Sequence, residues 1–275
     1  MTAMKRNLLL LLLCFPGASL FAARVDTVSI YSKAMQKEFK CVVIVPDDTG
    51  NTSKWPVVYL LHGYSGNYSN WITKVPALKR YADEYRLMIV CPDGGYSSWY
   101  LDSPIDPAMR YETYIAVEVP AYIDKHFPTI GDRSGRAITG LSMGGHGGLF
   151  LGFRHAGYFG ACGSMSGGVN LYATRNKFDL IKRVGDTSNN GSNWKKFSVM
   201  SAVEQYPEDS LAIIFDCGTE DFFYEDNHAL HDKLLRLKIP HEYIERPGKH
   251  DWKYWSNSVQ YQLLFFSNYF NIKKA

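Results

Sequence analysis

The sequence predicts an α/β fold built on a mostly parallel sheet with helices on both faces, and three observations point to it. Short apolar runs of the kind a strand buried on both faces produces alternate with helical segments. One of these strands turns sharply into a glycine-rich helix at Gly140-Leu141-Ser142-Met143-Gly144. The loops richest in chemistry-bearing residues all follow strands, at the carboxyl edge where sheets of this type gather their function.

The first two dozen residues read as an address label. Lys5-Arg6 give a positive start, Leu8 to Phe15 an apolar stretch short for a bilayer, and Gly17-Ala18-Ser19 with Ala22-Ala23 a small-residue cleavage region. This predicts a signal peptide over residues 1–23, a mature catalytic domain over 24–275, and a secreted or periplasmic location. Cys14 invites a lipoprotein reading, but Leu13 stands where that signal has a small residue. No later apolar run is long enough for a transmembrane helix.

Val25 to Ser32 and Glu38 to Val45 alternate as two antiparallel strands, closed by Pro46-Asp47-Asp48 and a Gly-Asn-Thr-Ser turn. Pro56 to Leu61 is a buried parallel strand ending in the loop His62-Gly63-Tyr64-Ser65-Gly66. Pro76 to Glu84 follows as a helix, and Leu87 to Cys91 as a strand stopped by Pro92-Asp93-Gly94-Gly95. After a long loop from Tyr96 to Met109, a helix is expected from Glu112 to His126. The strand ending at Thr139 and the helix Met143 to Phe153 flank the central turn, and Gly160 to Met165 is the next strand. Residues 167–210 read as an irregular insertion. Leu211 to Phe215 (strand), Glu225 to Leu237 (helix, with Asp226 as its N-cap), His241 to Ile244 (strand) and Ser256 to Phe270 (helix) complete a single domain. Two leading antiparallel strands ahead of parallel ones fit an α/β-hydrolase sheet.

With 275 residues, 46% of them hydrophobic and 15% aromatic, the chain can bury a large core. A net charge of +3 gives no ground for nucleic acid as a partner. After the leader, Cys41, Cys91, Cys162 and Cys217 are scattered in or beside buried strands, and they read as small core hydrophobes ahead of disulfides.

The central turn matches the Gly-x-Ser-x-Gly nucleophile elbow, in which strand and helix nearly touch and small residues must flank a strained serine. A serine hydroxyl needs a base within hydrogen-bond reach and a carboxylate to orient that base. On this fold they follow the serine in the order acid, then histidine. Of eight histidines, only His250 lies on the loop after the last strand. His62 and His126 precede Ser142, His146 and His155 sit on its helix, His228 and His231 sit on a later helix, and His241 opens the strand. For the acid, Asp221 lies beyond a glycine in Asp216-Cys217-Gly218-Thr219-Glu220-Asp221, with Glu220 and Asp216 as alternatives; Asp251 is too close to His250 to reach its far nitrogen. The backbone N–H groups of Met143 and Tyr64 are the expected oxyanion donors, and His62 is expected to hold the Tyr64 loop. Trp99, Tyr100, Trp71 and Trp252 are the expected substrate-binding aromatics, the first two foremost; Trp252 and Trp255 read equally well as anchors of the His250 loop.

Four stretches together resemble the esterase D family of α/β hydrolases: Leu61-His62-Gly63-Tyr64, Gly140 to Gly145, Gly218-Thr219-Glu220-Asp221 and Gly248-Lys249-His250-Asp251-Trp252. The likeness runs from about residue 25 to the end. It implies Ser142 as nucleophile, Asp221 and His250 as its partners, and Tyr64 and Met143 as oxyanion donors, with no metal or cofactor. The loop after His62-Gly63 lacks the cysteine typical of the S-formylglutathione hydrolase branch. The expectation is an exported serine esterase that removes feruloyl or acetyl groups from plant cell-wall polysaccharide or a small ester. The alternatives are acyl transfer to a sugar acceptor, as in the mycolyltransferase branch, and a non-catalytic carbohydrate-binding protein on the same scaffold. Nothing in the sequence sets an oligomeric state.

Overall fold

Eight strands form one sheet in the order β1-β2-β4-β3-β5-β6-β7-β8 in the computed structural model, which describes residues 23–47, 54–206 and 211–272. The leader up to residue 22, Cys14 with it, and the turn residues 48–53 lie outside the described residues. β1 (Arg24–Ser32) and β2 (Lys37–Val45) form a hairpin, and β2 runs antiparallel to β4 (Met88–Pro92) as well. From β4 onward every pairing is parallel, through β3 (Val57–Leu61), β5 (Arg136–Gly140), β6 (Ala161–Met165), β7 (Ala212–Gly218) and β8 (Glu242–Arg246).

The apolar runs read from the sequence are continuous because both faces of the sheet are covered. In β3, Val57, Tyr59 and Leu61 enter one core layer while Val58 and Leu60 enter the other. Helices α2 (Leu78–Tyr85) and α10 (Trp252–Ile272) cover one side. On the other lie α4 (Val119–His126), α5 (Met143–Arg154) and α9 (Tyr224–Arg236). The four cysteines beyond the leader are buried thiols in these layers, and desolvation pushes their pKa values up.

Three sequence readings need correction. The helix expected from Glu112 is α3 (Tyr111–Thr113) continued through a π-helical turn (Tyr114–Glu118) into α4. Asp226 is no N-cap: α9 already starts at Tyr224, and the Asp226 carboxylate accepts from Asn170 Nδ2 at 2.9 Å. α10 begins four residues before Ser256 because the Asp251 carboxylate accepts the Tyr254 N–H at 2.9 Å, a side-chain cap invisible to periodicity. A short helix α1 (Asn70–Lys74) also escaped notice, and the segment after Gly167 holds α6 (Leu180–Val184), α7 (Gly191–Phe197) and α8 (Val199–Ala202).

The turn between β5 and α5 shows why its spelling is restricted. Ser142 adopts φ 56° and ψ −115°, sterically costly for a side-chain-bearing residue. A Cβ on Gly140 would lie 2.6 Å from both the Leu61 and Gly144 carbonyl oxygens, and one on Gly144 would lie 2.5 Å from Leu61 O. The serine backbone is clamped in return. Its N–H donates to Met165 O at 2.9 Å, and its carbonyl accepts from the N–H of His146 at 3.0 Å and of Gly168 at 3.3 Å.

One turn along α5, the fully buried His146 places Nδ1 2.9 Å from Trp99 O and Nε2 2.8 Å from Phe197 O. It thereby ties the loop after β4 to the end of α7. A neutral imidazole has one N–H, so only one of the two contacts is a hydrogen bond. Protonation would satisfy both carbonyls, but desolvation dominates and pushes the pKa down to about 4.

Two outcomes follow from this packing. Gly144→Ala should lower stability by about 1–3 kcal/mol, as overpacking does, read as a lower urea midpoint. His146 stays neutral in the folded chain while the unfolded chain takes up its proton below the ordinary value of 6.5. Acidification therefore destabilises the native state between 6.5 and about 4. Urea titrations across that range should show a shallower fall for His146→Gln than for wild type; equal slopes would refute this role.

Candidate active site

Three strand ends bring the expected residues together. Ser142 stands at the bend after β5. Asp221 follows β7 in a turn closed by its own N–H donating to Gly218 O at 3.0 Å. His250 lies between β8 and α10. Ser142 Oγ is 2.9 Å from His250 Nε2, and His250 Nδ1 is 2.8 and 3.0 Å from the two Asp221 oxygens. An ionised carboxylate accepts only, so Nδ1 carries the proton and Nε2 is left to accept from the serine hydroxyl. Asp221 also accepts the Phe223 N–H at 2.8 Å, which fixes its carboxylate plane. The imidazole is packed on three sides, with ring centroids of Phe222, Trp255 and Phe223 at 4.2, 4.8 and 5.4 Å.

The other candidate acids are engaged elsewhere. Asp216 is fully buried in β7, accepting from Ser258 Oγ and from Gln262 Nε2 at 2.8 Å, with Arg246 Nη2 at 3.3 Å. Burial pushes its carboxyl above the ordinary range even against the pull of that guanidinium. Glu220 faces Lys249 at 3.6 Å on the surface.

Met143 is the first residue of α5, so its N–H has no partner within the helix. Tyr64 lies across the cavity on the loop after β3. Among the described residues neither N–H donates to a protein acceptor. His62 is almost wholly buried and holds this loop. Its Nε2 accepts the Gly94 N–H at 2.7 Å, and its Nδ1 donates to Gly63 O at 2.8 Å.

Ser142, His250 and Tyr64 face a cavity of about 380 Å³, which the other turn residues of 63–66 and Phe178, Phe222, Trp252 and Trp255 also line. Of the expected substrate-binding aromatics it contains Trp252 but not Trp71, Trp99 or Tyr100, each at most 1% exposed. Their polar atoms explain the correction. Trp71 Nε1 donates to Leu61 O at 2.9 Å, Trp99 Nε1 to Phe178 O at 3.1 Å, and Tyr100 Oη to His62 O at 2.8 Å. They are struts under the active edge. Phe178 and Phe222 were not singled out from the sequence. Phe222 carried a faint signal, being next to Asp221; Phe178 carried none. A larger polar cleft of about 850 Å³ lies against the end of α5 and helices α7 and α8, and no histidine lines it.

Among the described residues no three His, Cys, Asp or Glu side chains come together as a metal-ligand set, and no helix is long and apolar enough to cross a membrane.

Comparison with known proteins identifies the family. The family described as "Putative esterase" matches residues 32–266. An acetyl esterase of Caldicellulosiruptor saccharolyticus is 26% identical over 254 residues, covering 84% of this chain and 94% of that protein. A solved ferulic acid esterase superposes with a TM-score of 0.77 at 29% identity, covering 91% of this chain and 99% of its own. FphF, a fluorophosphonate-binding serine hydrolase of Staphylococcus aureus, shares the fold, with a TM-score of 0.78 at 22% identity over 89% of this chain and 98% of its own. The chain belongs to this esterase family and is a serine hydrolase of carboxylic esters with the α/β-hydrolase fold.

Proposed function

We propose that the protein is an exported esterase that removes an aromatic acyl group, feruloyl or a close relative, from a cell-wall saccharide, with Ser142 as nucleophile. The observation carrying this reading is the Ser142–His250–Asp221 hydrogen-bonded line opening onto an aromatic cavity beside two unengaged backbone N–H groups. Ser142 Oγ attacks the ester carbonyl as His250 Nε2 takes its proton, and Asp221 stabilises the imidazolium that forms. The negative charge that develops on the carbonyl oxygen meets the Tyr64 and Met143 N–H groups, with the N-terminal end of α5 behind Met143 adding a favourable dipole. His250 returns the proton to the departing alcohol. Water, activated by the same histidine, then releases the acid from the serine.

The acyl class follows from the wall. Phe178, Phe222, Trp252 and Trp255 present flat rings, and the lining holds no Asp, Glu, Lys or Arg side chain. A planar, uncharged acyl group gains offset or edge contacts there that an acetyl group is too small to make. The relative whose name specifies ferulic acid supports the aromatic choice, and the acetyl esterase marks the competing one. Export rests on the Lys5-Arg6 start and the apolar run from Leu8 to Phe15.

Purified protein should cleave methyl ferulate and p-nitrophenyl acetate, with the higher kcat/KM on the ferulate. Ser142→Ala and His250→Ala should each lower kcat by roughly 10⁴–10⁶-fold, with the double variant scarcely worse than either, because the residues act as a unit. Asp221→Asn should cost about 10⁴-fold by favouring the wrong tautomer. Near-additive losses would count against a shared triad. A folded wild type that releases no acid from either ester would sink the hydrolase assignment in favour of transfer or binding.

A further inference from the structure

We propose that Asp179 and the hydroxyl of Tyr64 form a latch that holds Phe178 over the cavity, making the Phe178–Asp179 strap the device that selects the acyl group. The inference rests on the esterase reading above and adds a residue pair to it. Phe178 and Asp179 are consecutive left-handed residues without glycine, at φ 55° and 56°. Such a pair persists only where the surroundings hold it, and three contacts do so. Trp99 Nε1 donates to Phe178 O at 3.1 Å, Tyr64 Oη donates to Asp179 Oδ2 at 3.1 Å, and Lys182 Nζ lies 2.8 Å from Asp179 Oδ1.

The carboxylate of Asp179 is the informative one. Asp179 is the N-cap residue of α6, where an aspartate ordinarily accepts a backbone N–H of its own helix. Here it makes no such bond. Its oxygens turn instead to Lys182 and across to the loop after β3, so the insertion and the loop bearing a proposed oxyanion donor are joined by one hydrogen bond between side chains. Hydrogen bonding by Lys182, then by Tyr64, holds the Asp179 carboxyl below its ordinary range, so it stays an anionic acceptor at neutral pH.

What the latch positions is a ring. Phe178 lines the cavity with Ser142. Its centroid lies 5.4 Å from Tyr64 and 6.3 Å from Phe222, and the Phe178 and Phe222 rings lie only 19° from parallel. A planar acyl group entering beside Phe178 touches a face whose distance from Ser142 is set by the Tyr64–Asp179 bond. A two-carbon acyl group has no ring to lay against that face. Releasing the strap therefore changes which ester is preferred, beyond how fast esters react in general.

The test is a double-mutant cycle on purified protein with Tyr64→Phe, Asp179→Ala, the double variant and Phe178→Ala. The readout is the ratio of kcat/KM on methyl ferulate to that on p-nitrophenyl acetate. Tyr64→Phe removes one oxygen and leaves the backbone N–H in place, so it tests the latch even if Asp179→Ala fails to fold. Each single latch variant should lower the ratio about tenfold, mainly through KM on the ferulate. The double variant should be no worse, a coupling of about 1.4 kcal/mol, and Phe178→Ala should move the ratio the same way. An unchanged ratio in Tyr64→Phe, losses equal on both esters, or additive losses would each overturn the latch. Wild type inert toward both esters, or Ser142→Ala as active as wild type, would overturn the esterase reading and the latch with it. The first set of outcomes leaves a working Ser142-dependent esterase, so the two failures are distinguishable.

Discussion

The backbone of Ser142 is the constraint on which the rest depends. A non-glycine residue at φ 56° and ψ −115° stays there only because its amide and carbonyl are tied into the sheet edge and because two bare backbones pass beneath it. The clamp is shared with the acid. Gly168, whose N–H holds the Ser142 carbonyl, follows Gly167, whose own carbonyl accepts from Asn227 Nδ2 at 2.9 Å. The same amide nitrogen lies 2.9 Å from Phe223 O, two residues past Asp221. The elbow and the acid-bearing turn are therefore fixed to one buried side chain, and serine–acid geometry does not depend on His250 alone.

Much of this was legible in the sequence because its signals are local. A strand buried on both faces is written as an unbroken apolar run, as in Val57 to Leu61. A bend that tolerates no Cβ is written as glycine at two fixed offsets from serine. Chain order then singled out His250 from eight histidines, and the fold places it beside Ser142. What escaped depends on tertiary contact. Trp71, Trp99 and Tyr100 stand beside active-edge loops in sequence, yet their polar atoms turn inward to backbone carbonyls, and adjacency in the chain carries no record of that direction. Phe178 sits in a segment with no periodicity, and only the fold brings it into the cavity that Ser142 also lines. The N-terminal extension of α10 depends on one capping carboxylate, Asp251, which by sequence alone is simply the neighbour of a histidine.

The end of β7 shows how one fold assigns opposite work to two aspartates five positions apart. Asp216 points into the core, where Ser258, Gln262 and Arg246 meet it and burial raises its pKa. A carboxyl so enclosed can brace α10 against the sheet but has no route to a histidine ring. Asp221 lies beyond Gly218, where the chain passes under the His250 loop so closely that a Cβ on Gly218 would meet Gly248 O at 2.4 Å. That contact brings the Asp221 and His250 loops together, and the Phe223 N–H then aims the carboxylate at Nδ1. Both aspartates were acceptable acids on spacing alone. The distinction between scaffold and chemistry comes from which side of the strand end each side chain leaves, and from the glycine that lets the second loop approach.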